Sequence, residues 1–197
     1  RTPGRRNAEA PQHQRVDSPV KITEVTNGGP GGAGDNFFEL TNTGDAPVDV
    51  TGWQVYRCTG TGRVYDGMLQ LNLPDGEMAP GEVFTAARTG ADSTVERPDA
   101  TYGTSFNAVN GFGLMVVDKD RNVVDSVGVF DRVDSPCTAG EPMSDTLDFA
   151  SGESYQRVAF TGDNTKDYIR AIRTPGEYAP DVEAIEVQKP KMGDVVI

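Results

Sequence analysis

The single histidine of the chain, His13, limits the catalytic chemistry that the sequence can support. It lies in a polar N-terminal segment without apolar periodicity, so a serine or cysteine nucleophile has no histidine positioned by a core. The sequence also does not predict a zinc site. One histidine and two cysteines, which are 137 − 58 = 79 positions apart, do not complete a usual set of zinc ligands without carboxylates. We therefore predict a protein that is not an enzyme and needs no cofactor.

The sequence DKDRN places Asp118, Asp120 and Asn122 at the first, third and fifth positions of a calcium-binding loop. The sixth and twelfth positions are Val123 and Val129, where an EF-hand loop has glycine and glutamate. Turn residues between two apolar runs favour a hairpin turn, and calcium binding is the alternative. The 30 acidic residues show no spacing that marks the carboxylate pair of a glycosidase.

Several aromatic side chains are candidates for a platform that binds a sugar or a peptide. In a β-sandwich such residues more often belong to the core or its rim, and we prefer that interpretation. The candidates are Tyr56, Tyr65, Tyr102, Phe106 and Tyr155.

The two cysteines, Cys58 and Cys137, can form one disulfide with no thiol left over. A disulfide fits an oxidising compartment, and two buried free thiols are the alternative. The closed loop would span 79 positions, for which the chain-entropy estimate gives an upper value of ~4.5 kcal/mol. We predict the disulfide.

The formal net charge of the 197 residues is −12, and it is unevenly distributed. Residues 1–21 carry five basic and two acidic side chains, a balance of +3, which leaves −12 − 3 = −15 for the remainder. The strongly negative charge of residues 22–197 repels the phosphate backbone of nucleic acids, so we predict no nucleic-acid partner.

No apolar run reaches about 18 residues, so we predict no membrane span. Because the sequence begins with Arg1, we expect that an upstream segment has been removed.

The stretch FFELTNTGDAPVDVTGWQV at residues 37–55 has the pattern of two strands joined by a turn. Phe38 and Leu40 alternate with polar residues, which places Glu39 on the outward face of a half-buried strand. Residues 42–47 (NTGDAP) supply the turn. Trp53, the only tryptophan, is expected to fill the core. An odd separation puts Cys58 on the opposite face from Trp53, so the disulfide should be peripheral.

Further extended segments occur at short spacing and no convincing helix separates them, which predicts an all-β antiparallel sandwich or barrel. Residues 91–110 are polar and irregular, and residues 27–36 form a glycine-rich loop that lacks the lysine of a phosphate-binding loop. We predict an arm over 1–18, one domain over 19–180 and a tail or linker over 181–197. The other predicted strands cover residues 20–25, 54–57, 68–73, 82–86, a hairpin over 111–130, and a final strand near 154–160.

Five motifs in this order resemble the lamin tail domain family, an immunoglobulin-like β-sandwich found in nuclear lamins and in exported bacterial proteins. The resemblance covers about residues 19–180 and implies scaffold roles for Glu39, Asn42, Asp49, Gly52, Trp53, Ser154 and Arg157. It implies that Asn42 and Asp49 bond to turn backbone and that Glu39 pairs with a basic residue such as Arg157. The motifs are FFELTNTGDAPVDVTGW, MAPGE, VVDKDRNVVDSV, GESYQR and TPG.

The resemblance implies a non-catalytic binding or spacer module of an exported, cell-surface bacterial protein. Its partner would be a protein or a glycan, bound through loops at one end of the sandwich, or neighbouring domains of the same polypeptide. The alternative is an accessory, calcium-dependent domain of an extracellular hydrolase, and a nuclear DNA-contacting role ranks third. The two cysteines and the irregular insert around 88–110 depart from the family pattern, so a function private to this protein is expected there.

The tetrapeptide RTPG occurs at residues 1–4 and again at residues 173–176. A chance repeat of this length has roughly one chance in four at average composition. We interpret the first copy as the end of a preceding domain of the same kind, which predicts a tandem array.

Overall fold

The computed structural model describes residues 14–58, 69–90, 93–104, 111–129, 135–144, 147–148, 150 and 152–185. Almost all of its regular elements are strands, and the only helix among these residues is one turn long. The elements are β1 (Val20–Thr26), β2 (Phe37–Asn42), β3 (Val48–Asp49), β4 (Gln54–Cys58), β5 (Leu69–Asn72), β6 (Glu77–Met78), β7 (Val83–Arg88), β8 (Ala100–Tyr102), β9 (Phe112–Val117), β10 (Val123–Val129), β11 (Glu153–Arg157), α1 (Asn164–Asp167) and β12 (Tyr168–Ile172).

Two main sheets face each other. The first has six strands in the order β12-β11-β1-β2-β7-β8, and the second has four in the order β10-β9-β4-β5, while β3 and β6 form a separate pair. The pairings are antiparallel except that of β7 with β8, which is parallel. The predicted all-β, immunoglobulin-like antiparallel sandwich is therefore confirmed, with one parallel edge strand that the sequence did not indicate.

The core lies between the two sheets and is built from alternate residues of their strands. Phe38 and Leu40 of β2 face Val55 of β4 and Leu114 of β9, and all four are fully buried. Trp53 belongs to the same cluster and is 7% exposed, as predicted. Since one aligned face of each strand supplies the core, the period of two in the sequence is sufficient to locate it.

A second, smaller cluster lies on the other face of the four-stranded sheet. It contains Cys58 and Cys137, which form the predicted disulfide with a Cα–Cα distance of 6.1 Å. Cys58 and Trp53 thus lie on opposite faces of the sheet, and the disulfide is peripheral as predicted. The remaining members are Tyr56, Met115, Val117 and Val123.

The strand register shifts at three places among the described residues, and two of these bulges, in β1 and β10, change which residues reach the core. The register of β1 shifts between Ile22 and Glu24, and that of β10 shifts between Val123 and Asp125. A bulge adds one residue to the strand, so strict alternation breaks at that point. Ile22 and Val25, three positions apart, consequently both face the core.

The turn within residues 37–55 uses the two polar side chains that the family resemblance indicated. Asn42 Nδ2 donates to the carbonyl oxygens of Ala46 and Met78 at 2.8 Å each, and its Oδ1 accepts from Gly44 N at 3.1 Å. Asp49 Oδ1 accepts from Thr51 N at 2.9 Å. Both predicted turn contacts are confirmed, and the polar run between the strands is explained by backbone groups that need partners.

The predicted final strand is shorter than expected and is followed by two further elements. β11 ends at Arg157, and α1 and β12 follow it. Asp163 caps α1 by accepting from Thr165 N at 3.1 Å, and Asn164 Nδ2 donates to Ser126 O of β10 at 3.1 Å. A single turn is too short to be stable alone, so tertiary contacts of this kind hold it, and they leave no periodic signal in the sequence.

The described ends of the predicted arm and tail lie against the domain. Val16 N donates to Val123 O at 2.9 Å, and the Arg15 side chain donates to Ser126 Oγ and Thr138 O at 2.7 Å each. Ile185 N donates to Arg170 O of β12 at 2.9 Å. Residues 1–13, with His13, and 186–197 lie outside the described residues, so the predicted boundaries remain predictions. None of the described helical structure has the length and hydropathy of a membrane span.

Candidate functional site

One buried ionic cluster joins the two sheets and is centred on Arg157 of β11. Its Nη2 lies 2.8 Å from Asp125 Oδ2 of β10, and its Nη1 lies 2.9 Å from Asp167 Oδ2 of α1. Nη2 also donates to the Tyr168 hydroxyl at 2.8 Å, and Nε donates to Ile22 O at 2.8 Å. We call Asp125, Arg157, Asp167 and Tyr168 the sheet-joining cluster.

The β1 bulge explains why these side chains converge at one place. Ile22 lies at the bulge, where the ladder is interrupted and backbone groups need other partners. Its N–H donates to Asp125 Oδ2 at 2.7 Å, and its carbonyl accepts from Arg157 Nε and, at 2.7 Å, from the Tyr168 hydroxyl. The cluster therefore satisfies the backbone of an inner strand as well as its own charges.

The electrostatics of the sheet-joining cluster keep Arg157 charged. Burial opposes the charge, but Tyr168, Asp125 and Asp167 raise the pKa of Arg157 above its ordinary value. Burial raises the pKa of the Tyr168 hydroxyl, which remains a donor. Asp167 also accepts from Thr161 N at 2.6 Å and Gly162 N at 3.1 Å. With its oxygens engaged in this way, Asp167 is poorly placed to act as a general base.

A second buried cluster, which we call the acid trio, consists of Glu24, Asp35 and Glu39. Each is at most 2% exposed. Glu24 of β1 and Glu39 of β2 are register partners, and Asp35 lies in the loop that connects the two strands. All three accept hydrogen bonds from residues 173–176 (RTPG), which lie over the outer face of β1 and β2. We call these residues the RTPG segment.

Asp35 is the most heavily bonded member of the acid trio. It accepts from Gly31 N at 3.1 Å, and it accepts from Thr94 N and Thr94 Oγ1 at 2.8 Å each. Arg173 Nη1 lies 2.9 Å from its Oδ2. Burial works against the charged form, but the hydrogen bonds from Thr94, Gly31 and Arg173 lower the pKa of Asp35. A carboxylate thus fills the glycine-rich loop from within, consistent with the prediction that this loop is not a phosphate cradle.

Glu24 and Glu39 accept fewer hydrogen bonds than Asp35 does. Glu24 accepts from Ser154 Oγ at 2.6 Å and from Thr174 N and Oγ1 at 3.0 and 2.9 Å, and burial raises its pKa. Glu39 Oε1 accepts from Thr85 Oγ1 at 2.8 Å and from Gly176 N, while its buried Oε2 has no hydrogen-bond partner. Burial, reinforced by the charge of Glu24, raises the pKa of Glu39 to about 8. Glu39 is therefore largely protonated at neutral pH.

One expectation for Glu39 is confirmed and the other is wrong. It lies on the face of β2 away from the core, as the alternation predicts, but it is 0% exposed because the RTPG segment covers that face. It does not pair with Arg157, whose acidic partners are Asp125 and Asp167. Strand parity assigns a face, but it does not show that a segment about 135 positions later in the chain will cover it.

Asp35 also brings three loops together at one end of the sandwich. Its partners come from the β1–β2 loop (Gly31), the segment between β7 and β8 (Thr94) and the segment after β12 (Arg173). We call residues 27–36, 93–99 and 173–178 the Asp35 end. It contains part of the insert where a private function was predicted, while residues 91–92 and 105–110 of that insert lie outside the described residues.

The predicted calcium candidate is a hairpin turn. Asp118 Oδ1 accepts from Asp120 N at 2.9 Å and Asn122 N at 2.8 Å, and its Oδ2 accepts from Asn122 Nδ2 at 2.9 Å. Both oxygens thus bond within the turn, and Arg121 adopts a left-handed φ of 66° there. Across the part of the chain that the structure describes, no three His, Cys, Asp or Glu side chains are grouped as a metal site.

The aromatic candidates do not form an exposed platform where the structure describes them. Tyr56, Tyr102 and Tyr155 are between 2% and 8% exposed, which matches the preferred interpretation as core or rim residues. Tyr65 and Phe106 lie outside the described residues.

Two surface cavities of about 310 and 250 Å³ do not include the acid trio. The first is lined by Met143, Tyr155, Tyr168 and Ile185, among others, and the second by Leu73, Met78 and Phe84 with nearby acidic side chains. A carboxyl with a strongly raised pKa is a candidate catalytic group when it faces a cleft. Glu39 faces neither cavity and is sealed by the RTPG segment, so its pKa reflects structural burial.

The family model described as Lamin Tail Domain matches residues 13–131, well over half of the chain. The chain belongs to the lamin tail domain family. No curated protein matches the sequence. The family match ends before GESYQR and TPG, yet β11 and β12 belong to the same sheet as β1. The six-stranded sheet that contains matched residues therefore includes two strands beyond residue 131. Membership indicates an immunoglobulin-like binding or spacer module, and domains of this type are generally non-catalytic.

Sequence reasoning found Glu39, Ser154 and Arg157 of these clusters but missed several of their partners. A signal was available in two cases, because Glu24 and Asp125 each interrupt an apolar strand as Glu39 does. A charged residue is rarely buried unless it is paired, so three such interruptions indicate three sets of partners elsewhere in the lamin tail domain. The other missed partners are Asp35, Asp167, Tyr168, Arg173 and Thr174.

Proposed function

We propose that this lamin tail domain is a non-catalytic binding module of an exported, cell-surface protein, and that it binds a protein or a glycan through the Asp35 end. The observation that carries the proposal is the set of hydrogen bonds by which Asp35 fixes three loops to one another. Loops positioned by a rigid scaffold are where binding surfaces commonly lie.

The exposure pattern of the Asp35 end supports this role. Pro30, Gly31, Glu96 and Glu177 are exposed, whereas Asp35 beneath them is buried. The exposed carboxylates of Glu96 and Glu177 offer acceptors to a polar ligand, and the buried carboxylate of Asp35 limits how far the loops can rearrange when a ligand binds. The net charge of −12 disfavours nucleic acid as the partner.

Export is supported by the disulfide between Cys58 and Cys137. Disulfides persist in oxidising compartments and are rare in the cytosol. Neighbouring domains of the same polypeptide would then be positioned by this module at the cell surface. The alternative, an accessory domain of an extracellular hydrolase, differs in requiring calcium for binding.

The test is a thermal-shift panel on the chelator-treated full chain with calcium, cell-wall glycans, peptidoglycan fragments and short DNA. A ligand that binds only the folded state raises the midpoint of unfolding. We expect a glycan or peptidoglycan fragment to raise the midpoint without calcium. A rise that requires calcium would favour the hydrolase accessory domain, and no rise with any glycan would favour a spacer or a protein-binding module.

A matched pair of variants locates the binding surface. Glu96 belongs to the Asp35 end, whereas Asp45 is an exposed acid in the turn after β2, at the opposite end of that strand from the β1–β2 loop. We expect Glu96→Lys to abolish the ligand-induced shift and Asp45→Lys to preserve it. The reverse result would place binding at the other end and overturn the assignment to the Asp35 end.

A further inference from the structure

Three of the four residues of the RTPG segment contact the acid trio, and each bonds to a different carboxyl group. The Arg173 guanidinium pairs with Asp35 and lies 4.7 Å from the centroid of the Phe37 ring. Thr174 donates its N–H to one oxygen of Glu24 and its hydroxyl to the other. Gly176 donates its N–H to Glu39. Pro175, which has no N–H, occupies the one position of the four that makes no such contact.

The backbone of the RTPG segment explains why proline and glycine follow threonine. Glu177 N donates to Thr174 O at 3.0 Å, which closes a turn with Pro175 and Gly176 at its centre. Gly176 has φ +91°, the left-handed value that the third position of a type II turn requires. No atom lies within 4 Å of a Cβ built at Gly176, so conformation, not space, requires glycine here. The turn aims the Gly176 N–H at Glu39.

The RTPG segment is held at the surface and not within the core. Pro175 and Gly176 are exposed and Thr174 is partly exposed, whereas the Arg173 side chain is 7% exposed and the carboxyl groups beneath the segment are buried. None of the four residues belongs to either hydrophobic cluster. Displacing the segment therefore need not open the space between the sheets.

Residues 1–4 repeat the same four residues and so carry the same donors in the same order. We propose that the acid trio is a recognition site for the sequence RTPG, and that residues 1–4 of a second copy of the chain occupy it in place of residues 173–176. The occupant supplies a guanidinium for Asp35, a threonine for Glu24 and a glycine N–H for Glu39. Copies of the domain are thereby linked end to end by exchange of equivalent segments.

The recognition step is tested with a peptide added to the full chain. Thr174→Val removes one hydroxyl donor, and Arg173→Gln removes the ion pair with Asp35, so each weakens the resident segment. The probes are a synthetic peptide of residues 1–7, RTPGRRN, and a scrambled peptide of the same composition. We expect RTPGRRN to raise the thermal midpoint of each variant saturably, by about 3–6 °C at a tenfold excess over its dissociation constant, and the scrambled peptide to have no effect.

The exchange step is tested by sedimentation over a range of protein concentrations. We expect Arg173→Gln to form concentration-dependent dimers, and the same variant with Arg1→Gln and Thr2→Val to be monomeric. If RTPGRRN does no better than the scrambled peptide on Thr174→Val, the variant with the smaller change, the recognition site is wrong. If the peptide binds but Arg173→Gln is monomeric at every concentration, the exchange between copies is wrong.

Discussion

Arg157 Nη2 of β11 and Asp125 Oδ2 of β10 lie 2.8 Å apart, so a buried ion pair joins the six-stranded sheet to the four-stranded sheet. The same guanidinium bonds to Asp167, Tyr168 and the carbonyl of Ile22. Removing one partner of such a cluster leaves the others buried without compensation. The sheet-joining cluster is thus part of the scaffold of this lamin tail domain, and substitutions in it should change the free energy of unfolding.

We expect Arg157→Met to lower the free energy of unfolding by about 3–5 kcal/mol, because two carboxylates lose their buried cation. The measurement is urea unfolding followed by the fluorescence of Trp53, the only tryptophan, which lies in the core. The exposed Arg97 provides the control, since Arg97→Met changes a side chain of the same type without disturbing a buried pair. Similar midpoints for the two variants would show that the sheet-joining cluster contributes no net stability.

Glu39 should make the domain less stable as the pH rises. Burial raises its pKa from 4.5 to about 8. Between these values the folded state holds a proton that the unfolded state has released, so the free energy of unfolding falls with increasing pH. The stabilisation is complete below about pH 4.5 and is lost by about pH 8, and the difference has an upper limit of ~5 kcal/mol. The raised pKa of Glu24 acts in the same direction.

The corresponding variant is Glu39→Gln, which keeps the size of the side chain and cannot ionise. Unfolding measured from pH 5 to pH 8.5 should show a flatter profile for this variant than for the wild type, and higher stability above pH 8. Glu77 of β6 is exposed, so Glu77→Gln should reproduce the wild-type profile. Parallel profiles for Glu39→Gln and the wild type would mean that Glu39 is ionised in the fold at neutral pH.

The disulfide should contribute substantially to stability because it closes a loop of 79 positions. We expect the double variant Cys58→Ala, Cys137→Ala to lose free energy of unfolding, and the chain-entropy estimate gives ~4.5 kcal/mol as the upper value of that loss. Adding a reductant should lower the unfolding midpoint of the wild type and leave that of the double variant unchanged. A double variant as stable as the oxidised wild type would contradict this.

Substitution of Asn42 should lower the stability of the domain, because this one side chain makes hydrogen bonds with three backbone groups. Asn42→Ala is expected to cost about 2–4 kcal/mol in the free energy of unfolding, at about 1 kcal/mol for each hydrogen bond. Asn42→Asp keeps the acceptor for Gly44 N but places a buried carboxylate oxygen against the carbonyl oxygens of Ala46 and Met78, so at neutral pH it should be at least as destabilising as Asn42→Ala. An Asn42→Asp variant as stable as the wild type would show that the donors to Ala46 and Met78 contribute little.

Much of the fold could be predicted because alternation and turn chemistry are local. The pattern of Phe38 and Leu40 located β2 and its core face, and the turn DKDRN located the β9–β10 hairpin. β8 was missed because it is three residues long and lies in a polar segment. β12 was missed because its apolar residues do not alternate cleanly, since only Tyr168 and Ala171 are buried.

The clusters could be predicted only in part because their contacts are distant in the sequence. Arg157 was identified as a scaffold residue, but Asp125 and Ile22 come from strands 32 and 135 positions away. Asp35 lies in the glycine-rich loop of residues 27–36, and its partner Arg173 is 138 positions away. Side-chain type shows that a partner is needed, whereas only the topology shows which residue provides it.

The most direct test of the scaffold role is a double-mutant cycle on the ion pair between the sheets. Its variants are Arg157→Met, Asp125→Asn and the two combined, and Asp125→Asn keeps an acceptor for Ile22 N while removing the charge. We expect a coupling energy of at least about 1.5 kcal/mol, because each single variant leaves its partner without the compensating charge. Free energies that add to within about 0.5 kcal/mol would contradict the account, since the two sheets would then not be joined through this pair.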